Sequence, residues 1–167
     1  MPVSELRFLE VVHRDLSDVD RSDVVRWGAL VVQRDVAEAV AEAFGALHAD
    51  GFLIARMEPI ERYRRDDDAS MAANDTSAFN CRAVTGGSSW SEHSYGRAID
   101  LNPVQNPYVR GSLTLPAAGE AYLDRDDVRP GMLVRPGAVE VFDRLGWGWG
   151  GDLETLGDYQ HVSATGR

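Results

Sequence analysis

The sequence predicts a single domain of the α+β class. Its 167 residues, 44% of them hydrophobic, are enough to build one compact core. One segment has the apolar spacing of a helix, and several short segments have the β-branched or alternating character of strands. No internal repeat or linker divides the chain. Residues 1–25 are charged and weakly patterned, so we expect an N-terminal arm there and one domain over residues 26–167.

The first half of this domain is expected to alternate between strands and a helix. Residues 27–33 have the apolar character of a strand. Asp35 is a suitable N-cap for the helix that follows, and Gly51 marks its end. Residues 52–57 predict a second strand. The dense charges of residues 62–68 are typical of a solvated surface.

The second half is expected to be more irregular. Residues 70–92 are rich in small polar residues and predict a long connection, which in a compact domain is usually functional or mobile. Residues 97–101 alternate as a strand does. Proline and asparagine interrupt residues 102–115, which predicts a loop. A short amphipathic helix over residues 136–145 and a terminal strand at His161 complete the prediction.

Composition excludes several classes of partner and site. The formal net charge is −10 and every basic residue except histidine is arginine, so nucleic acid or an anionic membrane is not expected as the main partner. No run approaches the ~20 apolar residues of a membrane span. Cys81 is the single cysteine, which rules out an internal disulfide and a thiolate cluster. We expect it to be buried as a small hydrophobic residue.

Two short segments concentrate histidines and carboxylates. His93 and Asp100 are an odd number of residues apart, so they converge only if the chain turns between them, and Gly96 offers that turn. Asp158 and His161 are three apart and converge in a turn. Two imidazoles and one carboxylate can hold a catalytic zinc, with the remaining carboxylate as general base. Spacing alone leaves open that these are ordinary hydrogen-bonded polar residues.

The same segments resemble a known enzyme family. SEHSYGRAID, residues 91–100, matches the S-x-H-x-x-G-x-A-x-D signature of the zinc D-alanyl-D-alanine carboxypeptidases. DYQH, residues 158–161, matches the second signature, and WGGD, residues 149–152, resembles the segment before it. FNCR, residues 79–82, lies where the family places its essential arginine, and NPY, residues 106–108, resembles the loop after the first zinc motif.

The resemblance implies specific roles for these residues. His93, Asp100 and His161 would bind Zn²⁺, and Asp158 would be the general base. Arg82 would donate hydrogen bonds to the scissile carbonyl, although a surface ion pair with the nearby aspartates is the alternative for this arginine.

Fold and substrate contacts follow from the same resemblance. It implies a central antiparallel sheet with helices on one side, as in the D,D-peptidases and the Hedgehog amino-terminal domain. Ser91, Tyr95 and Trp149 are candidates for contact with substrate, although aromatic residues beside glycines also pack in cores and turns. Gln160 and Val162 flank His161 where many relatives carry bulkier residues, which affects the expected pocket shape.

The function implied is hydrolysis of bacterial peptidoglycan stem peptides, with release of terminal D-alanine. Two alternatives are L-alanyl-D-glutamate endopeptidase activity and a zinc-containing binding module without catalysis. Lysostaphin-like endopeptidases need a His-x-His pair, which the chain does not contain. Such a substrate implies action in the cell envelope or outside the cell. The first residues lack a secretory-signal pattern, so a cytoplasmic location stays open, as does the oligomeric state.

Overall fold

The structure, a computed structural model, describes residues 1–17, 19, 24–84 and 86–166. Parts of the expected arm (18 and 20–23) and of the expected long connection (85) therefore lie outside the described residues, as does residue 167. Three α-helices are present in the described part: α1 Ala37–Ala49, α2 Asp67–Ala72 and α3 Val139–Arg144. The strands are β1 Leu6–Asp15, β2 Val25–Gln33, β3 Leu53–Ile54, β4 Arg56–Met57, β5 Asp75–Thr76, β6 Ala98–Asp100, β7 Tyr108–Arg110, β8 Leu113–Leu115, β9 Gly148–Trp149, β10 Gly157–Asp158 and β11 His161–Ser163.

The N-terminal segment forms part of a sheet. Strand β1 lies between β2, which pairs with it antiparallel, and β3, which pairs with it parallel. Residues 6–15 are therefore the middle strand of this sheet, where the sequence predicted an arm. The inward face of β1 carries Val11 together with buried His13 and Asp15, and these polar residues hide the hydrophobic alternation that would mark a strand.

One hydrophobic core joins the N- and C-terminal parts of the chain. Helix α1 contributes Phe44 and Leu47, and α3 contributes Phe142. These side chains pack in the same cluster as Ile99 of β6 and Val162 of β11. The two strands that carry candidate ligands are therefore fixed to the main core of the protein.

The β-structure is divided among four small sheets in the described part of the chain, and the predicted single central sheet is not observed. The fold is mixed α and β, as expected. Besides β2-β1-β3, the sheets are β6-β11-β9, β10-β7-β8 and the parallel pair β4-β5. Two of the sheets contain parallel pairs, because β3 and β4 run in the same direction as their neighbours. Short strands separated by irregular segments prevent a continuous sheet.

Several local predictions need correction. The strand expected at 52–57 is split between two sheets, and the loop expected at 102–115 contains the hairpin of β7 and β8. Asp35 does not cap α1, because it lies in a 3₁₀ turn and Val36 occupies the N-cap position. Gly51 does adopt the left-handed conformation expected at the helix end, with φ 79°. Cys81 is exposed, whereas the sequence predicted a buried residue.

The helices of the described residues were compared with the requirements of a membrane span. None of their helices combines the length and the apolar character needed to cross a bilayer.

Asp75 in β5 is a fully buried carboxyl group. It accepts hydrogen bonds from the Glu58 backbone N–H at 2.8 Å and the Ser70 hydroxyl at 3.0 Å. Burial nevertheless raises the pKa of Asp75 from 3.8 to about 7. The folded state then holds this proton more tightly than the unfolded state. The resulting stability is full below about pH 4 and is lost as the pH rises through about 7.

We expect Asp75→Asn to flatten the decrease in the free energy of unfolding between about pH 5 and pH 8, because the amide does not ionise. Urea unfolding at both pH values measures this difference. Asp35→Asn, which removes a carboxyl group that is 68% exposed, is the matched control. An unchanged pH dependence in Asp75→Asn would contradict the assignment.

Candidate metal centre and active-site cavity

Pairing of β6 with β11 brings together two of the predicted ligands. Asp100 lies directly opposite His161 in this antiparallel pair, which places their Cβ atoms roughly 5 Å apart. The neighbouring pair, Ile99 and Val162, points the other way into the core, and both residues are 0% exposed. A shift of one residue would expose this apolar pair, so core packing fixes the register of the ligands.

His93 reaches the same point through a tight turn. It lies in a 3₁₀ turn, Glu92–Tyr95, whose N-cap Ser91 accepts a hydrogen bond from the His93 N–H at 3.3 Å. Gly96 ends the turn with φ 64°, and a Cβ there would lie 2.6 Å from the Gln33 backbone nitrogen. The chain therefore reverses between His93 and Asp100 at Gly96, as their odd spacing predicts.

The three side chains direct ligand atoms at a common point. His93 Nε2 lies 3.1 Å from Asp100 Oδ2 and 3.2 Å from His161 Nδ1. His161 Nδ1 lies 3.2 Å from Asp100 Oδ1. A tetrahedral zinc ion with bonds of about 2.0 Å has ligand separations of ~3.3 Å. The observed distances fit such an ion.

The hydrogen bonding of His93 also fits a cation. Its Nδ1 donates to the Ala78 carbonyl at 2.6 Å, which leaves the Nε2 lone pair of the neutral ring directed at the cluster. Burial alone would raise the pKa of Asp100, but attraction to His93 and hydrogen bonds with His161 and His93 lower it well below its usual range. An anionic carboxylate and two ring nitrogens this close need a proton or a metal ion between them.

Asp158 lies beside this group of ligands. It ends β10, and a two-residue turn separates it from His161 at the start of β11. Its Oδ1 atom is buried and has no hydrogen-bond partner among the described residues. Burial raises the pKa of Asp158 to about 6. Gly150 permits this approach, because a Cβ there would overlap the Asp158 carbonyl oxygen.

Arg82 lies close to the candidate ligands and comes from the segment that precedes His93 in the sequence. Its Nε lies 2.9 Å from Asp67 Oδ1, and its Nη2 lies 3.7 Å from Asp100 Oδ2. Asn80 also donates to Asp67 Oδ1, at 2.8 Å. Arg82 therefore forms the ion pair with a nearby aspartate that was the alternative to a role in the site, and it also lies beside the candidate ligand Asp100. Asp67 was not predicted as a site residue, because its charge run has the composition of a solvated surface.

Comparison with protein families identifies this region. The model of the D-alanyl-D-alanine carboxypeptidase family matches residues 85–164, a segment that contains the three candidate ligands and Asp158. Residues 85–164 belong to this family. This match supports a peptidase, and Arg82 lies three residues before the matched segment. Comparison with curated proteins and with solved structures gave no match.

The peptidase segment borders a cavity of about 460 Å³. His93 and His161 line this cavity together with Asp158 and Arg82. The remaining lining residues are Met71, Val84, Ser89, Trp90, Ser91, Glu92, Tyr108, Arg110, Leu115, Leu153, Leu156 and Gln160. The cavity therefore joins the candidate ligands to an apolar region large enough for part of a peptide.

The three predicted substrate contacts have different positions. Ser91 lines the cavity, but its hydroxyl is also the cap of the turn that carries His93. Tyr95 and Trp149 are not among the lining residues. Tyr95 packs under the Arg97 guanidinium, and Trp149 donates from its indole N–H to the Tyr159 carbonyl at 2.8 Å.

Other aromatic and charged residues line the cavity. Trp90 and Tyr108 supply aromatic surface to the cavity, and Arg110 supplies a positive charge. Tyr108 and Arg110 alternate along a short strand, and this alternation is the sequence signal that could have identified them. The prolines around this strand made the segment resemble a loop.

Metal removal tests the ligand set. We expect the purified protein to bind about one Zn²⁺ per chain and to melt at a lower temperature after chelation, since an ion bound only by the folded state stabilises it. His161→Ala should bind much less zinc, because one of the three protein ligands is lost. Elemental mass spectrometry and thermal unfolding measure both effects.

His48→Ala is the control for removal of an imidazole, because His48 lies in the last turn of α1. Zinc content that is equal in wild type and His161→Ala would contradict the assignment.

Proposed function

We propose that the protein is a zinc-dependent peptidase that hydrolyses peptidoglycan stem peptides, acting as a D-alanyl-D-alanine carboxypeptidase. The observation that carries this proposal is the convergence of His93 Nε2 and His161 Nδ1, which lie 3.2 Å apart and each within about 3.2 Å of one of the two Asp100 oxygens, beside a cavity that both histidines line. Family membership supports peptide hydrolysis, and the ligand set supports zinc.

Zn²⁺ bound by His93, Asp100 and His161 would supply a Lewis acid and lower the pKa of a bound water to roughly 7. Asp158 is suited to the proton transfers, because its Oδ1 has no protein partner in the described residues and lies beside the ligands. This carboxylate takes the proton from the attacking water and returns it to the nitrogen of the leaving amine. A pKa of about 6 leaves it mostly ionised at neutral pH.

Arg82 is suited to stabilise the negative charge that develops on the scissile carbonyl oxygen. Its guanidinium is held by Asp67 and faces the cavity. A fixed donor aimed at such an oxygen is worth about 3 kcal/mol of barrier. Asp67 has no place in this chemistry except to orient Arg82, so it is a positioning residue.

The substrate assignment implies where the protein acts. Peptidoglycan lies outside the bacterial cytoplasm, so we propose action in the cell envelope or outside the cell. The apolar walls of the cavity, formed by residues such as Leu115, Leu153 and Trp90, suit small side chains like the methyl group of alanine.

A defined stem pentapeptide ending in D-alanyl-D-alanine tests the proposal. Mass spectrometry of the products should show free D-alanine and the shortened tetrapeptide. Cleavage after L-alanine would instead assign the endopeptidase activity. A zinc-loaded protein that hydrolyses neither bond would contradict the proposed function and favour a binding module.

The variant Asp158→Ala distinguishes the role of general base from the role of metal ligand. We expect this variant to keep its zinc and to lose hydrolysis by at least about 10²-fold, the lower range of general-base contributions. Zinc content and peptide hydrolysis are measured on the same preparation. Glu154→Ala, which removes an exposed carboxylate four residues earlier, should retain activity. Full activity in Asp158→Ala would show that the base is another group.

Arg82 and Asp67 are tested together. Arg82→Gln should lower kcat by about 10²-fold, and Asp67→Asn should lower it less, because the guanidinium is still present but no longer held. The double variant should be no worse than Arg82→Gln alone, since Asp67 acts through Arg82.

Steady-state kinetics of the four proteins measure this coupling. Asp68→Asn, an exposed carboxylate in the same turn of α2, is the control. Effects of Arg82→Gln and Asp67→Asn that simply multiply in the double variant would contradict the positioning role.

A further inference from the structure

Arg110 is a cation in the cavity that the proposed chemistry does not use. It is the exposed last residue of β7 and lines the cavity. Its guanidinium has no hydrogen bond or ion pair with any of the described residues, whereas the guanidinium of Arg82, the other arginine of the lining, contacts Asp67 and Asp100. Arg110 is therefore available to an anion that enters from outside.

The position of Arg110 is fixed relative to the base. Tyr108 pairs directly with Asp158 across β7 and β10, and Arg110 lies two residues further along the same strand. Two residues of strand advance about 6.6 Å and return to the same face, and both side chains line the cavity. Arg110 thus lines the same cavity as Asp158 and lies two strand positions beyond the residue that pairs with Asp158.

The guanidinium of Arg110 extends toward the connection that contains Gly86. A Cβ built on Gly86 would lie 3.4 Å from Arg110 Nη1. Gly86 belongs to the same connection as Ser89 and Trp90, which line the cavity. Arg110 therefore reaches from β7 to a connection whose residues Ser89 and Trp90 line the cavity.

Charge balance favours an anionic group at this place. The protein has a net charge of −10, and Asp158 and Glu92 line the cavity, so a negatively charged substrate is repelled without a local cation. Glu92 is already paired with Arg97 at 3.0 Å. An arginine binds a carboxylate through two parallel hydrogen bonds, which gives both attraction and orientation.

We propose that Arg110 binds the free α-carboxylate of the substrate residue whose amine is released. This inference rests on the proposed peptidase function and names the substrate feature that the site selects. Two stem-peptide residues carry that feature. Terminal D-alanine has it as the chain end, and D-glutamate linked through its γ-carboxyl has it as a side group. One subsite therefore serves either source, and the choice between them lies elsewhere in the cavity.

Paired substrates test the proposal. One pair is a stem peptide ending in D-alanyl-D-alanine as the free acid and as the C-terminal amide. The other pair is L-alanyl-γ-D-glutamyl peptide with its α-carboxylate free or amidated. In the pair that contains the natural substrate, we expect the acid to be hydrolysed with a kcat/KM about 10- to 100-fold above that of the amide, as for a hydrogen bond to a charged group.

Arg110→Gln should remove this preference by lowering kcat/KM for the acid to the value for the amide, while hydrolysis of the amide changes little. Arg110→Lys should retain part of the preference, because it keeps the charge and loses the two-pronged geometry. Arg144→Gln removes the same charge from an exposed position on α3 outside this cavity and is the control. Circular dichroism checks that the variants fold.

Binding provides a readout that does not depend on hydrolysis. In the Asp158→Ala background, titration calorimetry with the acid and amide peptides should give the same 10- to 100-fold difference in Kd, and Arg110→Gln should abolish it.

The outcomes separate the two proposals. Hydrolysis of acid and amide at equal rates, or an equal loss on both in Arg110→Gln, would overturn the subsite and leave the peptidase function standing. No hydrolysis of any peptide by wild type, together with no difference in binding, would overturn both.

Discussion

The antiparallel pairing of β6 with β11 is the constraint on which the site depends. Asp100 and His161 come from segments far apart in the chain, and only the register of this pair places them opposite each other. That register is held from the other side of the sheet by Ile99 and Val162, which are completely buried. Hydrophobic packing therefore determines the geometry of a polar site, because a shifted strand would expose apolar surface and separate the ligands.

Asp100 is the electrostatic centre of this arrangement. A buried carboxylate is costly unless charged or hydrogen-bonding partners surround it. His93, His161 and Arg82 supply those partners, and Asp67 in turn neutralises and holds Arg82. Removing one of these charged residues leaves another charged residue without its partner. The groups proposed for metal binding and for carbonyl polarisation are thus parts of one network, and their effects on activity should not be independent.

Local sequence predicted the features that depend on local geometry. The odd spacing of His93 and Asp100 required a turn, and Gly96 provides it with a positive φ. Features that depend on distant contacts were missed. β1 was predicted as an arm because His13 and Asp15 occupy its buried face, and only tertiary contacts reveal them as core positions. Asp67 was predicted as solvated surface because its partner, Arg82, belongs to a later segment.

The inner and outer parts of the cavity are built in different ways, and this difference bears on specificity. The candidate ligands lie on strands and a capped turn that are anchored in the core. The outer wall comes from the end of β7 and from the connection that carries Trp90, which is 60% exposed. The proposed chemistry applies equally to either proposed bond, since both place an amide carbonyl beside an amine that leaves. Because the proposed Arg110 subsite serves both bonds, discrimination between them must come from other residues of the outer wall, which the metal-binding signature does not include.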